Sequence, residues 1–182
     1  MFALAEEKGI IVHRDPDGSL HGYIALKTPA DWGRRIDFTD TNAAKALLLE
    51  QFADWDKRLQ GLITGADGAL VPRTIHALPV GHRWDRTPGV TLLGDAAHLM
   101  SPFAGEGANL AMQDGAELAL ALVAHGDDIE AALTEYEAAM FPRSAAAAAA
   151  SEVGLEVAFT PDAPREFVAL MASHEMEGHQ AE

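Results

Sequence analysis

Gly94-Asp95-Ala96-Ala97-His98-Leu99-Met100-Ser101-Pro102-Phe103-Ala104-Gly105-Glu106-Gly107-Ala108-Asn109 is the stretch on which the reading of this chain turns. It lies between Val90 to Leu93, a short apolar run with the composition of a buried strand, and a helical pattern expected from about Gly107 to Ala124. An acidic side chain coming straight off a strand end, as Asp95 does in this reading, can accept hydrogen bonds from the hydroxyls of a polyol. The small Ala96 and Ala97 let a ligand approach the backbone. Pro102 fixes a bend, and Gly105 and Gly107 leave main-chain N–H groups uncovered at the first turn of the next helix. A helix N-terminus carries roughly half a positive charge, enough to stabilise an anionic or electron-rich ring edge by about 0.3 to 2 kcal/mol. Taken singly, these residues describe a turn and a cap; taken as one ordered string, they describe a ligand cradle.

Outward from that string, Leu110, Ala111, Leu118, Ala121 and Leu122 form the inward face of the following helix, and Gly115 predicts a second backbone close by. From Ile129, the positions Ala132, Leu133, Tyr136, Ala139 and Met140 keep helical spacing. Pro142 predicts a kink or restart before the run Ala145 to Ala150, and Glu130, Glu135 and Glu137 read as a solvated face. Pro164 to Ser173 is a last amphipathic segment and Glu175 to Glu182 a polar tail. On the N-terminal side, Ile10 to His13 and Leu20 to Lys27 flank the turn residues Asp15-Pro16-Asp17-Gly18, which predicts a β-hairpin. Asn42 is the expected cap of a helix whose apolar positions Ala46, Leu49, Phe52, Ala53, Leu59, Leu62 and Ile63 pack on the hairpin's sheet. Ala69 to Pro79 offers one more strand, interrupted by Pro72. Trp32, Trp55 and Trp84 are expected to be packing residues.

Composition narrows the function classes. The chain has 182 residues, and its 13 basic against 28 acidic side chains give a formal charge of -15, which repels nucleic acid and anionic lipid. There is no cysteine, which removes disulfides, thiolate metal sites and cysteine nucleophiles. Glu6, Glu7 and Lys8 behind a short apolar start do not read as a secretory signal, and no apolar run reaches membrane-spanning length, so a cytoplasmic location is expected. No metal is expected either. Asp95 and His98 lack a third ligand, and His174 and His179, five apart, point about 140° away from each other on a helix.

The string Gly-Asp-Ala-Ala-His, with Pro102 and Gly105-Glu106-Gly107 downstream, resembles the second FAD-binding motif of the aromatic hydroxylase superfamily of flavoproteins. Other segments resemble the tetracycline-inactivating monooxygenases more narrowly. They are Leu20-His21, Lys27-Thr28-Pro29 with Trp32, Phe52-Ala53-Asp54-Trp55-Asp56 with Arg58, Pro79-Val80-Gly81 with Trp84, and Leu99-Met100 before Pro102-Phe103-Ala104-Gly105. That similarity runs from about Ile10 to Asp162. It implies that Asp95 binds the ribityl hydroxyls of FAD and that Pro102, Gly105, Gly107, Ala108 and Asn109 line the pyrimidine side of the ring. It also implies that His21 faces the substrate, that Ile11 takes a nearby pocket position where the family has an aromatic residue, and that Pro102, Phe103 and Gly105 form a substrate wall. The implied reaction has NAD(P)H reduce FAD, after which molecular oxygen adds to the ring and the flavin hydroperoxide hydroxylates an enol or phenol, with no catalytic side-chain nucleophile.

The chain departs from the family in having Glu106 where glutamine is commoner and Ser101 where the tetracycline enzymes commonly have proline. A strand-turn-helix with Gly-x-Gly-x-x-Gly for the FAD pyrophosphate is also missing from these residues. The expected fold class is therefore α+β: a partial antiparallel substrate-domain sheet (1–88), the second FAD-binding motif with its helix (89–126), and bracing C-terminal helices with a tail (127–182). The expected function is that of the C-terminal portion of an FAD- and NAD(P)H-dependent monooxygenase acting on an aromatic or polyketide small molecule, the chain alone being inactive and completed by an N-terminal FAD-binding segment. The alternatives are another flavin reaction on the same scaffold, halogenation or epoxidation, or a silent fragment that serves as a binding module.

Overall fold

The computed structural model describes residues 1–178; the sequence beyond them, including His179 and the end of the expected polar tail, lies outside the described residues. The chain divides into two compact units, one formed by 1–74 with 158–182 and the other by 75–157. The divisions fall at Thr74/Ile75 and Val157/Ala158, not at the segment boundaries drawn from sequence at 88 and 126.

In the first unit three antiparallel strands, β1 (Phe2–Ala5), β2 (Lys8–Arg14) and β3 (Leu20–Leu26), pair in the order β1-β2-β3. The hairpin closes as the sequence predicts. Asp15 N–H donates to Ser19 O at 2.9 Å, Gly18 takes φ +89°, and Asp17 Oδ1 accepts from the Ser19 amide and hydroxyl at 2.9 and 2.7 Å. Alternation along β2 buries Ile10 and Val12 against α1 (Thr41–Gln51) and α2 (Lys57–Thr64), where they meet Leu48, Phe52 and Ile63. Trp32 and Trp55 pack against the same core.

Two sequence expectations fail here. The single helix is two, because Asp40 and Asp56 each cap one: Asp40 Oδ1 accepts from Ala43 N–H at 3.0 Å and Asp56 Oδ1 from Arg58 N–H at 2.8 Å. Asn42 lies inside the first turn of α1 instead of capping it. The apolar spacing looked continuous because both helices face one core. Gln60 fills the break, its Nε2 donating to the carbonyls of Phe52, Ala53 and Trp55 at 3.0, 3.3 and 2.8 Å. The second failure is the Ala69 to Pro79 strand; that segment forms no strand and joins no sheet.

The second unit is a helical hairpin of α4 (Gly107–His125) and α5 (Ile129–Val157), preceded by one short turn of helix, α3 (Asp95–His98). Ala97, Ala121, Ala132, Tyr136 and Met140 form its core, with Trp84, Leu118, Leu122 and Phe141 packed on it. Helix α5 runs unbroken through Pro142. Val90 to Leu93 is not a buried strand: Val90, Leu92 and Leu93 are exposed, and Thr87 and Val90 share only an isolated bridge. The run is fixed instead from the helix side, by Tyr136 Oη donating to Leu92 O at 3.2 Å and Thr91 Oγ1 donating to Glu137 Oε1 at 2.7 Å. Glu137, expected in solvent, is buried, and it also accepts from Trp84 Nε1 and Arg86 Nη1, each at 3.1 Å. Gly115 has open space where a close backbone was expected.

The last helix, α6 (Ala163–Gly178), extends past Ser173 and packs on β1 in the first unit, with Phe167 and Phe2 ring centroids 5.2 Å apart. Among the described residues no helix is long and apolar enough to cross a membrane.

Candidate functional site

Gly94 sets the geometry of the decisive stretch. Its φ of +59° lies in the region that favours glycine, and an added Cβ would stand 3.2 Å from the Cβ of Ala111 on α4. The chain therefore turns against α4, and Asp95 opens a helical turn instead of continuing a strand. The Asp95 side chain is exposed and makes no hydrogen bond to another described residue. Ala96 is exposed, but Ala97 is a core residue and offers no surface to a ligand.

Below the turn sits a charged cluster that the sequence reading missed. Asp114, fully buried on α4, accepts the Gly94 N–H through Oδ2 at 2.8 Å, pairs with His98 Nε2 at 2.6 Å, and accepts from Arg143 Nη2 through Oδ1 at 2.8 Å. Arg143 also donates to Glu117 Oε2 at 2.5 Å. Burial by itself pushes the Asp114 carboxyl upward, but the Gly94 amide, His98 and Arg143 outweigh it and hold it below the usual carboxylate range. The Arg143 guanidinium is likewise disfavoured by burial and more than restored by Glu117 and Asp114. A carboxylate on the inward stripe of an otherwise apolar helix face, level with Leu110 and Ala121, was the signal available in the sequence.

The second half of the stretch is held from α5. Ser101 is buried, its Oγ donating to Ser151 O at 3.0 Å and lying 2.7 Å from Ser151 Oγ, while Ser151 Oγ donates to Ser101 O. Pro102–Ala104 forms a 3-10 turn, and Gly154 lets it approach, since a Cβ there would lie 2.8 Å from Phe103 O. Gly105 then takes φ +72°, and α4 begins at Gly107 with no side chain capping its first amides. Nothing stands within 4 Å of where a Cβ would sit on Gly105 or Gly107. Pro102, Gly105, Glu106, Ala108 and Asn109 are exposed, and Phe103 and Gly107 are half-buried. The result is bare backbone of the kind an FAD ring edge needs, on the same unit as the free Asp95 carboxylate. The residues present fit that cofactor.

Two concavities of this unit lie elsewhere. One is a cavity of about 10 Å³ among Leu78, His98, Leu99 and Ser144; the other is an open groove beside Arg83, Trp84 and Phe141. Neither is lined by Asp95 or the Pro102 to Asn109 segment.

Ile11 and His21 belong to the first unit. The register pairs Ile11 with Tyr23 and His13 with His21, so all four share the sheet face opposite Ile10 and Val12. His21 and Tyr23 ring centroids are 5.0 Å apart, and the His13 and His21 rings stack at 5.1 Å with an 11° interplanar angle.

With this geometry in place, the comparisons with known proteins are specific. Residues 76–151 match the family described as FAD binding domain, a span inside the second unit. The monooxygenase asqM of Emericella nidulans is 33% identical over 145 residues, covering 67% of this chain and 33% of that protein. The FAD-dependent urate hydroxylase of Mycolicibacterium vanbaalenii is 37% identical over 102 residues, 56% of this chain and 26% of that protein. Klebsiella pneumoniae HpxO, solved in complex with FAD and uric acid, superimposes with a TM-score of 0.71 at 26% identity, over 97% of this chain and 42% of that one. The chain spans a third or less of the length of the curated relatives it matches. Its mixed α+β fold is shared with HpxO, and residues 76–151 of its second unit resemble an FAD binding domain.

Proposed function

We propose that these residues form the part of an FAD- and NAD(P)H-dependent monooxygenase that holds the ribityl chain and the flavin ring, in an enzyme hydroxylating an aromatic or polyketide small molecule, with tetracycline-like compounds as the narrow candidate class. One observation carries the reading: an exposed, unpaired Asp95 carboxylate and the uncapped first turn of α4 after two unobstructed glycines, on a span that matches an FAD binding domain. Asp95 would take the ribityl hydroxyls, a charge-assisted contact, and Pro102, Gly105, Gly107, Ala108 and Asn109 would line the pyrimidine side. When bound, FAD supplies electron uptake from NAD(P)H and the activation of molecular oxygen.

The remaining work belongs to the chain. The positive end of α4 stabilises negative charge on the ring edge without the reorganisation that water would need. Glu106, turned to solvent, adds no buried negative charge there. Pro102, Phe103 and Gly105 form a substrate wall that limits water. The 182 residues hold no strand followed by a Gly-x-Gly-x-x-Gly turn for the pyrophosphate, so on their own they bind FAD weakly and are inactive.

Flavin titration of the purified chain tests this. Wild-type chain quenches flavin fluorescence with weak affinity, and Asp95→Ala weakens it by about tenfold or more, the loss of one charge-assisted hydrogen bond, with unchanged circular dichroism. Equal affinities in the two proteins refute the assignment of Asp95, and NADPH-driven turnover by the chain alone refutes its inactivity.

A further inference from the structure

The sheet face that carries Ile11 and His21 holds a second feature, argued from the hairpin's own geometry. We infer that His13, Asp15 and His21 form a binding site for a divalent transition-metal ion of the zinc, nickel or copper type.

The site is built by the hairpin itself. His13 and His21 are directly opposed across β2 and β3, which brings their Cβ atoms to the separation of facing cross-strand residues and their rings into the stack described above. Asp15 follows the end of β2 at Arg14, where the turn brings its carboxylate back to His13. The hydrogen bonds that close the turn fix the Asp15 backbone, through Ser19 O and Gly18 N–H, each at 2.9 Å. The carboxylate ends with Oδ1 at 3.3 Å from His13 Nε2. One donor atom from each of the three side chains lies within 4.8 Å of the others.

Coordination chemistry sets the target. A tetrahedral ion with bonds of about 2.0 to 2.2 Å to imidazole and carboxylate holds its donors roughly 3.3 Å apart. The His13–Asp15 edge already has that length, and small rotations of exposed side chains close the other two. Two imidazoles and one carboxylate select borderline ions such as Zn²⁺, Ni²⁺ and Cu²⁺ over Mg²⁺ and Ca²⁺, which prefer all-oxygen shells. Three protein ligands leave at least one position open to water or to an oxygen ligand. The chain's charge of -15 raises the local concentration of any cation.

The test is a Zn²⁺ titration of the full chain against a chromophoric chelator of micromolar affinity. One equivalent binds the wild type. His13→Ala and His21→Ala each weaken binding by about tenfold or more, Asp15→Asn does so severalfold, and His125→Ala has no effect. Mg²⁺ and Ca²⁺ do not displace the zinc. In case a variant disturbs the hairpin, substoichiometric Cu²⁺ added to the wild type broadens the ring-proton resonances of His13 and His21 ahead of those of His76, His82 and His125. Zinc binding that survives loss of both hairpin histidines, no bound equivalent, or broadening confined to other histidines overturns the site.

Discussion

Replacing Asp114 by alanine removes the acceptor that holds the Gly94 amide at 2.8 Å, His98 Nε2 at 2.6 Å and Arg143 Nη2 at 2.8 Å, in a position with no solvent exposure. Breaking a buried charge pair by deleting one partner costs about 3 to 5 kcal/mol, because the other charge stays behind uncompensated. Arg143 keeps Glu117, which places the expected loss for Asp114→Ala at the lower end, about 3 kcal/mol. Asp114→Asn retains one acceptor oxygen and costs less, about 1 to 3 kcal/mol. Urea unfolding followed by circular dichroism measures both, the midpoint shifting with little change in slope. The same carboxylate governs acid stability. Its native pKa is depressed, so its contribution is complete above the unfolded value of about pH 4 and is lost as pH falls through the lower native pKa. Wild-type stability should therefore fall below about pH 4 more steeply than that of Asp114→Asn. A loss under about 1 kcal/mol in Asp114→Ala, or parallel acid profiles, would refute the claim that this cluster holds the Gly94 turn.

Two further substitutions probe how the rest of the stretch is supported. Gly154→Ala puts a Cβ 2.8 Å from Phe103 O, a backbone atom, so it should cost about 1 to 3 kcal/mol in urea unfolding and shift the amide resonances of Phe103 to Gly105; wild-type shifts there would show that the contact is slack. Tyr136→Phe removes only the hydrogen bond to Leu92 O, with an expected loss of about 0.5 to 1.5 kcal/mol and faster amide hydrogen exchange across residues 90 to 93; unaltered exchange would mean that run is anchored by other contacts.

The hairpin and α4 were legible because local rules decide them: turn residues at Asp15 to Gly18, alternation at Ile10 to His13, helical spacing after Gly107. The break at Phe52 was not, since two helices facing one core keep a common apolar spacing, and the Asp56 cap and the Gln60 side chain that mark the gap lie outside that apolar pattern. The failed strand at Val90 has a similar origin. Its apolar composition signals burial, but a strand also needs a neighbour, and that is a property of the fold, not of the run.

For the candidate site, sequence identified the residues that expose backbone and charge, and missed those that hold them in place. Asp95, Gly105 and Gly107 announce themselves by residue type and order, whereas Asp114, Arg143, Ser151 and Gly154 act through contacts with residues far away in sequence. These supports explain why the exposed set can be pre-formed. The Gly94 turn is pinned to α4 by Asp114, and the Pro102 turn to α5 by Ser151 and the gap at Gly154, so both halves of the cradle are fixed to one helical hairpin. A carboxylate and an uncapped helix end held this way do not have to reorganise when charge develops beside them, which is the condition under which a fixed dipole is worth more than water.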